Sequence, residues 1–501
     1  MTWTIDHTIF FGFLILNIIF GLKSSKGIKN IREYALGDGN FNTSTIVATT
    51  VATWMCGETF FSTITETYQH GLYFLIPCIL AFVMNFFIIG YFIAPRMTEF
   101  IGKLSIAEAM GDLYGQRVRL ITTISGFIGV SGFIAVQLKI TGIIVNYAFG
   151  LPETYGIIIS GLIITLYSSL GGIKSVTFTD VIQFFTFGTI LPIVTVQIFF
   201  SLDSIDPIFH TLKTNPNFSL SKVLDFSEPK TWYYASIFFF CFFPCFNPAE
   251  FQRVSMAKNW RQVRKVFYTT GILIFFIMSS IAWLSLIILS KDPNIPVENL
   301  VKDHIFSTAM TGYKGLLLVG ITAMIMSTAD SYINCSSVLF THDFFKALNI
   351  KLSNELLSAR FISFFIGISG IVLAFKESSL FHLAIFTASF FIPIVSVPFL
   401  MAILGYRTLY EKAVLYGMAA GFIVVLLWNY LDITVIDSIA PAVFTNWILP
   451  LLFVLKLNYQ LLPYFLSNNT IASSINCGTF LPLLQYTDTH EPDSTSNIRL
   501  E

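Results

Sequence analysis

The chain has little charge: Asp, Glu, Lys and Arg make up only 12% of its 501 residues, about half the share usual in soluble domains. That scarcity excludes an ordinary soluble fold. The 29 acidic and 29 basic residues balance, so no global bias toward nucleic acid exists and no nucleic-acid partner is expected. Cysteine is also scarce, six in all. Cys56, Cys78, Cys241, Cys245 and Cys335 lie mostly in apolar stretches with neither disulfide-framework nor metal-ligand spacing, so they read as small packing residues. The opening "MTWTID" carries an acid and no basic segment, so the first apolar run is expected to stay in the mature chain. No His/Asp or Cys/His constellation has catalytic spacing, and an enzyme is not expected.

What the chain has is hydrocarbon: 54% of residues are hydrophobic and the mean hydropathy is +0.73. Apolar runs of roughly 17 to 25 residues, each long enough to cross a bilayer core of ~30 Å, recur along nearly its whole length. Only helices that satisfy their own backbone can repeat in lipid this way, so the chain reads as an all-α integral membrane protein, multi-pass in a plasma or inner cell membrane. Hydropathy places about thirteen spans, at 8–22, 44–64, 72–94, 120–149, 155–170, 178–200, 232–246, 266–289, 315–340, 361–375, 380–405, 413–430 and 439–455. The polar tail, 457–501, is expected to be disordered.

Basic residues set the expected orientation. Lys23, Lys26, Lys29 and Arg32 follow the first span, Arg96, Lys103, Arg117 and Arg119 the third, and Arg253, Lys258, Arg261, Arg264 and Lys265 the seventh. Those connections are expected in the cytoplasm, which puts the N-terminus outside and the C-terminus inside.

Two spans look interrupted. The second reads "STIVATTVATWMCGETFF", with Gly57 near its middle, and the seventh reads "IFFFCFFPCFNPAEFQR", with Pro244 and Pro248. Proline removes a donor and crowds the preceding turn, and broken helices in transporters expose backbone oxygens at mid-membrane. The two lie five spans apart, and a repeat with an odd number of helices must be inverted in its second copy. Spans two to six and seven to eleven therefore suggest two inverted five-helix repeats, 44–200 and 232–405, with one helix before them and the two of 413–455 after.

The ninth span, "TAMIMSTADSYINCSSVLFTHD" from Thr322 to Asp343, gathers hydroxyls and a carboxylate where a bilayer penalises them. Ser327 and Thr328 beside loosened carbonyls of the second span could replace the hydration shell of sodium; the local alternative is bonding to the carbonyl one turn back. Asp180 and Asp330 could line an exit route, and buried carboxylates need a partner. Lys139 could neutralise Asp330 or Glu58, or meet a solute. Glu58 could contact an amine, and Trp54 could face a cationic or zwitterionic solute or simply pack.

"ATWMCGETF" in the second span, "SSLGGIKSVTFTDVIQ" from Ser168, "NPAEFQRVSMAKN" from Asn247 and "MSTADSYINCSSVLFTHDF" from Met326 together make the chain resemble the sodium:solute symporters, over roughly residues 8–456. The resemblance implies a leucine-transporter-like core of two inverted five-helix repeats and sodium as co-transported ion. By motif position it implies a sodium site of the Met324 carbonyl, Ser327 and Thr328, with the carbonyls of Val47 and Thr50 or, shifted by one, Ala48 and Val51. It implies a second sodium position at Asp180, Ser327, Asp330 and Ser331, although Asp330 stands where certain two-ion members have a hydroxyl. Cys56 and Glu58 also depart from the family's glycine-rich pattern around Gly57. The expected activity is sodium-coupled import of a small organic solute (an amino acid, quaternary amine, monocarboxylate or vitamin-like acid) held near Thr53, Trp54, Gly57, Glu58 and Lys139. The rival reading is a transporter-like membrane sensor that signals to a partner without net flux.

Overall fold

A computed structural model describes residues 3–448 apart from 38, 201, 308, 376–387, 408–409 and 432–438. The tail at 457–501 and the ends of the eleventh and thirteenth expected spans lie outside the described residues. Among those described, all regular structure is helical, and eight helices are long and apolar enough to cross a membrane. One of them, Glu153–Phe200, bends where Gly172 takes φ 55° and ψ −169° and so serves as crossings five and six. A side chain there would meet Tyr34, whose backbone oxygen lies 2.9 Å from the missing Cβ. Two interrupted crossings and the shorter apolar helices Ile392–Ile403 and Ile439–Ile448 complete the set, so each of the thirteen expected segments carries helix.

Crossing two is broken as its sequence suggested, though two residues before Gly57. Helix Thr43–Trp54 stops at Met55 (φ −79°, ψ 97°), Cys56 is extended (φ −108°, ψ 169°), and a new helix runs Gly57–His70. Crossing seven breaks between Pro229–Phe242 and Pro248–Ser255. Here the two prolines do different work: Pro244 lies within the break, whereas Pro248 opens the second helix at a position whose amide has no intrahelical partner. Asn247 caps that helix by accepting from the Glu250 amide at 2.9 Å, and the Glu250 carboxylate accepts from the Asn247 amide in return.

The seventh crossing therefore continues to Ser255, beyond the expected end at 246, and this corrects the charge reading. Arg253 is fully buried within that half-helix rather than in a loop. Arg119 is also completely buried, in the first turn of crossing four, Gln116–Phe149, where it binds Asp343. Neither belongs in a tally of loop charges.

Crossing nine, Tyr313–Val338 continued through a wider turn at Leu339–Phe344, is the buried centre; every residue from Leu317 to Leu339 is buried. It packs on crossings four, five and six and on the first half of crossing two, which brings its hydroxyls to the break.

Candidate functional site

An α-helix leaves its last carbonyls without amide partners. In the first half of crossing two, the Met55 amide takes the Val51 carbonyl at 2.8 Å, and the next carbonyls are met from crossing nine. Ser327 Oγ donates toward the Ala52 oxygen at 2.7 Å, and Thr328 Oγ1 toward the Thr53 oxygen at 3.1 Å. Each hydroxyl also lies close to the Met324 carbonyl, at 3.0 and 3.1 Å, so the local bond and the cross-helix contact coexist. Five oxygens from two chain segments some 275 residues apart thus converge beside the helix break.

The carbonyls that Ser327 and Thr328 meet differ from those expected at the ion site. Those of Val47, Ala48, Thr50 and Val51 lie inside Thr43–Trp54, where amides four residues on engage them. The oxygens freed by a break are the last ones before it, so the carbonyls that face Ser327 and Thr328 lie closer to Gly57 than the expected register.

Next to this cluster lies a charge hub. The Arg253 Nη2 donates to Ser331 Oγ at 2.5 Å, Thr53 Oγ1 at 2.7 Å, Thr49 Oγ1 at 3.1 Å and Asp180 Oδ2 at 3.2 Å. Thr49 also donates to Asp180. Asp330 sits beside the hub, accepting from Tyr167 at 2.8 Å and Thr179 at 3.4 Å. One oxygen of each carboxylate, Oδ1 of Asp180 and Oδ1 of Asp330, has no hydrogen-bond partner among the described residues. Buried carboxylates demand a compensating charge, and here Arg253 supplies it. Lys139 does not: it pairs with Glu153 at 3.2 Å at a partly exposed site, away from Asp330 and Glu58.

A cavity of about 200 Å³ adjoins the oxygen cluster, with Thr53 and Thr328 bordering both. Trp54 and Glu58 border it too, as do Asn247 and Glu250 from the broken seventh crossing. Trp54 donates its indole N–H to Glu250 and sets its ring edge-on to Phe82, with centroids 4.4 Å apart, so its packing and its place on the wall are compatible. Gly57 does not border the cavity. Its amide donates to Gln137 at 2.9 Å, and a Cβ on it would lie 2.5 Å from Ile325, so its smallness lets crossing two approach crossing nine.

Sequence reasoning missed Ala52, Glu250 and Arg253. The signal for the last two was present: "NPAE" is a capping box opening a helix, and a helix begun at Pro248 carries Arg253 into the bundle.

Relatives are distant but extensive. A Drosophila melanogaster protein named for sodium-dependent multivitamin transport is 22% identical over 406 residues, 75% of this chain and 66% of its own, just under two thirds of its length. A sodium/sialic acid symporter of Proteus mirabilis is 23% identical over 368 residues, 69% of this chain and 72% of its own. The solved structure of a substrate-bound, outward-open Na+-coupled sialic acid symporter superposes with a TM-score of 0.78 over 89% of this chain and 96% of that one, at 18% identity, which establishes a shared leucine-transporter-like fold. The family model of the sodium:solute symporters matches residues 34–421, and with its two interrupted crossings set five apart this chain belongs to that family.

Proposed function

We propose that the protein is a secondary active symporter that imports a small organic solute with sodium by alternating access. The observation that carries this is the meeting of Ser327 and Thr328 with the freed carbonyls of Ala52 and Thr53. Sodium is a small ion that must exchange water for several oxygens, and the Ala52, Thr53 and Met324 carbonyls with the two hydroxyls supply five, linked by four contacts of 2.7, 3.0, 3.1 and 3.1 Å. Turning the hydroxyl protons away presents lone pairs to the cation. The bound ion then ties crossing two to crossing nine, and the solute fills the adjoining cavity beside Thr53 and Trp54.

Asp180, Asp330 and Ser331 form an inward exit route rather than a second sodium site, because Arg253 already donates to Asp180 and Ser331. The N-terminus faces outward and the C-terminus the cytoplasm; the basic loops that remain after removing Arg119 and Arg253 keep that bias. The membrane potential adds ~2.3 kcal/mol per ion per 100 mV, and no covalent step is needed.

Sodium-driven uptake into proteoliposomes tests the reading. Ser327→Ala is expected to raise the half-saturating sodium concentration by at least roughly tenfold, the loss of ~1.4 kcal/mol of ion binding, and Asp180→Asn to slow uptake. Undiminished sodium-dependent flux in both variants would remove the site from the mechanism.

A further inference from the structure

The cavity also carries a statement about the charge of what enters it. After each break the chain restarts as a helix pointing its N-terminal end at the interruption, Gly57–His70 in crossing two and Pro248–Ser255 in crossing seven. Such an end carries roughly half a positive charge and suits an anion. Here each start already holds its own carboxylate in the first turn, Glu58 in one and Glu250 in the other, and both border the cavity. Glu250 also uses the Trp54 indole N–H, the donor an anionic solute would otherwise find there.

Nothing on the wall balances these two acids. Among the described residues no Lys, Arg or His borders the cavity, and neither glutamate has an ion-pair partner. Arg253, three residues beyond Glu250, turns its guanidinium to Asp180 and the hydroxyls of Thr49, Thr53 and Ser331. A carboxylate pair in a membrane interior with only half-charges opposite is stabilised by taking up either protons or a cation, and an organic cation in the cavity would fill that need. Aromatic side chains, among them Trp54, Phe82, Phe133 and Tyr332, also border the cavity alongside aliphatic and hydroxyl residues, and an aromatic ring face attracts a bulky cation shedding its water. An independent sign that a ligand belongs here is Thr63: it is completely buried on the cavity wall, and its hydroxyl has no partner among the described residues. Glu58, Ser62 and Glu66 share one face of Gly57–His70 at four-residue spacing, so the acidic character continues along that helix.

We propose that the solute is a small organic cation, with an amine or quaternary ammonium centre and no carboxylate, held between Glu58 and Glu250 against the aromatic wall. This rests on the symport reading above and narrows its solute. A carboxylate-bearing solute would bring a third negative charge to a wall that offers it neither a basic side chain nor an uncovered helix start.

The test is the melting temperature of the purified full chain in sodium and in potassium, with four probes of similar shape: choline, its neutral isostere with carbon in place of nitrogen, glycine betaine and pivalate. Choline is expected to raise the melting temperature in sodium, and far less in potassium; the other three are expected to give little. Glu58→Gln is expected to weaken the choline response at least tenfold in concentration while keeping the shift produced by sodium alone, which also shows that the variant is folded. Stabilisation by the isostere, betaine or pivalate equal to that by choline, or none by choline, overturns the proposal. If sodium alone still stabilises the chain in those cases, the symport reading stands. No sodium shift, with or without probes, overturns both.

Discussion

Among the described residues two arginine–aspartate pairs are buried, and they are built differently. At the start of crossing four, Arg119 gives Nε and Nη2 to a single oxygen of Asp343, at 2.8 and 2.6 Å, while Ser105 donates to the other oxygen at 2.5 Å. Both oxygens of that carboxylate are engaged. In the hub, Arg253 divides one nitrogen among oxygens of crossings two, six and nine, and Asp180 keeps an oxygen without a partner. The first pair is a clamp joining crossing four, the end of crossing nine and the segment before crossing four. The second is a junction among crossings two, six and nine, beside the oxygen cluster and the cavity. Burial alone does not distinguish the two pairs; how the hydrogen-bonding capacity is divided does.

Replacing both partners by apolar residues separates the two most sharply. Losing one member of a buried pair costs about 3–5 kcal/mol, whereas exchanging both for packed apolar side chains is often neutral. Arg119→Leu with Asp343→Leu is expected to recover most of the stability lost in either single variant and most of the sodium-driven uptake, read by melting and flux. Arg253→Leu with Asp180→Leu is expected to regain folding in the same assay while uptake stays down by more than about tenfold, since the proposed exit route would lose its charge. Equal recovery of uptake at both sites would erase the distinction.

A smaller effect is expected from Gly57→Ala, which drives a methyl into Ile325, and from it through crossing nine. Overpacking of this kind costs about 1–3 kcal/mol, and adding Ile325→Val is expected to return part of it. Full stability in the single variant would show that the second crossing does not need its close approach to the ninth. The smallest effect belongs to Lys139→Ala. Its pair with Glu153 is part-exposed, at 21% and 40% of the side-chain surface, so a change within about 1 kcal/mol and unaltered uptake are expected. A large loss of uptake would return Lys139 to the solute pathway.

These outcomes bear on how much the residues themselves announced. The two interruptions could be read because Gly57, Pro244 and Pro248 stand out locally as helix breakers, although Gly57 sits just past its break and is small for the sake of Ile325. The hydroxyls of Ser327 and Thr328 stood out because their neighbours are apolar. Arg253 was misassigned for the same local reason: beside Lys258, Arg261 and Arg264 a buried arginine looks like another loop charge, and hydropathy averaging hides an eight-residue half-helix. Lys139 was given the wrong partner because nothing along the chain says which face of crossing four it occupies.

The sequence by itself determined a helical membrane bundle, the order of its apolar segments, its two broken crossings and its polar ninth segment, since each depends on side chains near one another in the chain. Only the tertiary structure decided that Ala52 and Thr53 supply the facing oxygens, that Arg253 answers Asp180, and that two glutamates border one cavity with no basic side chain on its wall among the described residues. Those are contacts between residues 73 to 275 positions apart, and the place where a helix ends, the turn of its face and the packing of its neighbours must all be fixed before such partners are defined.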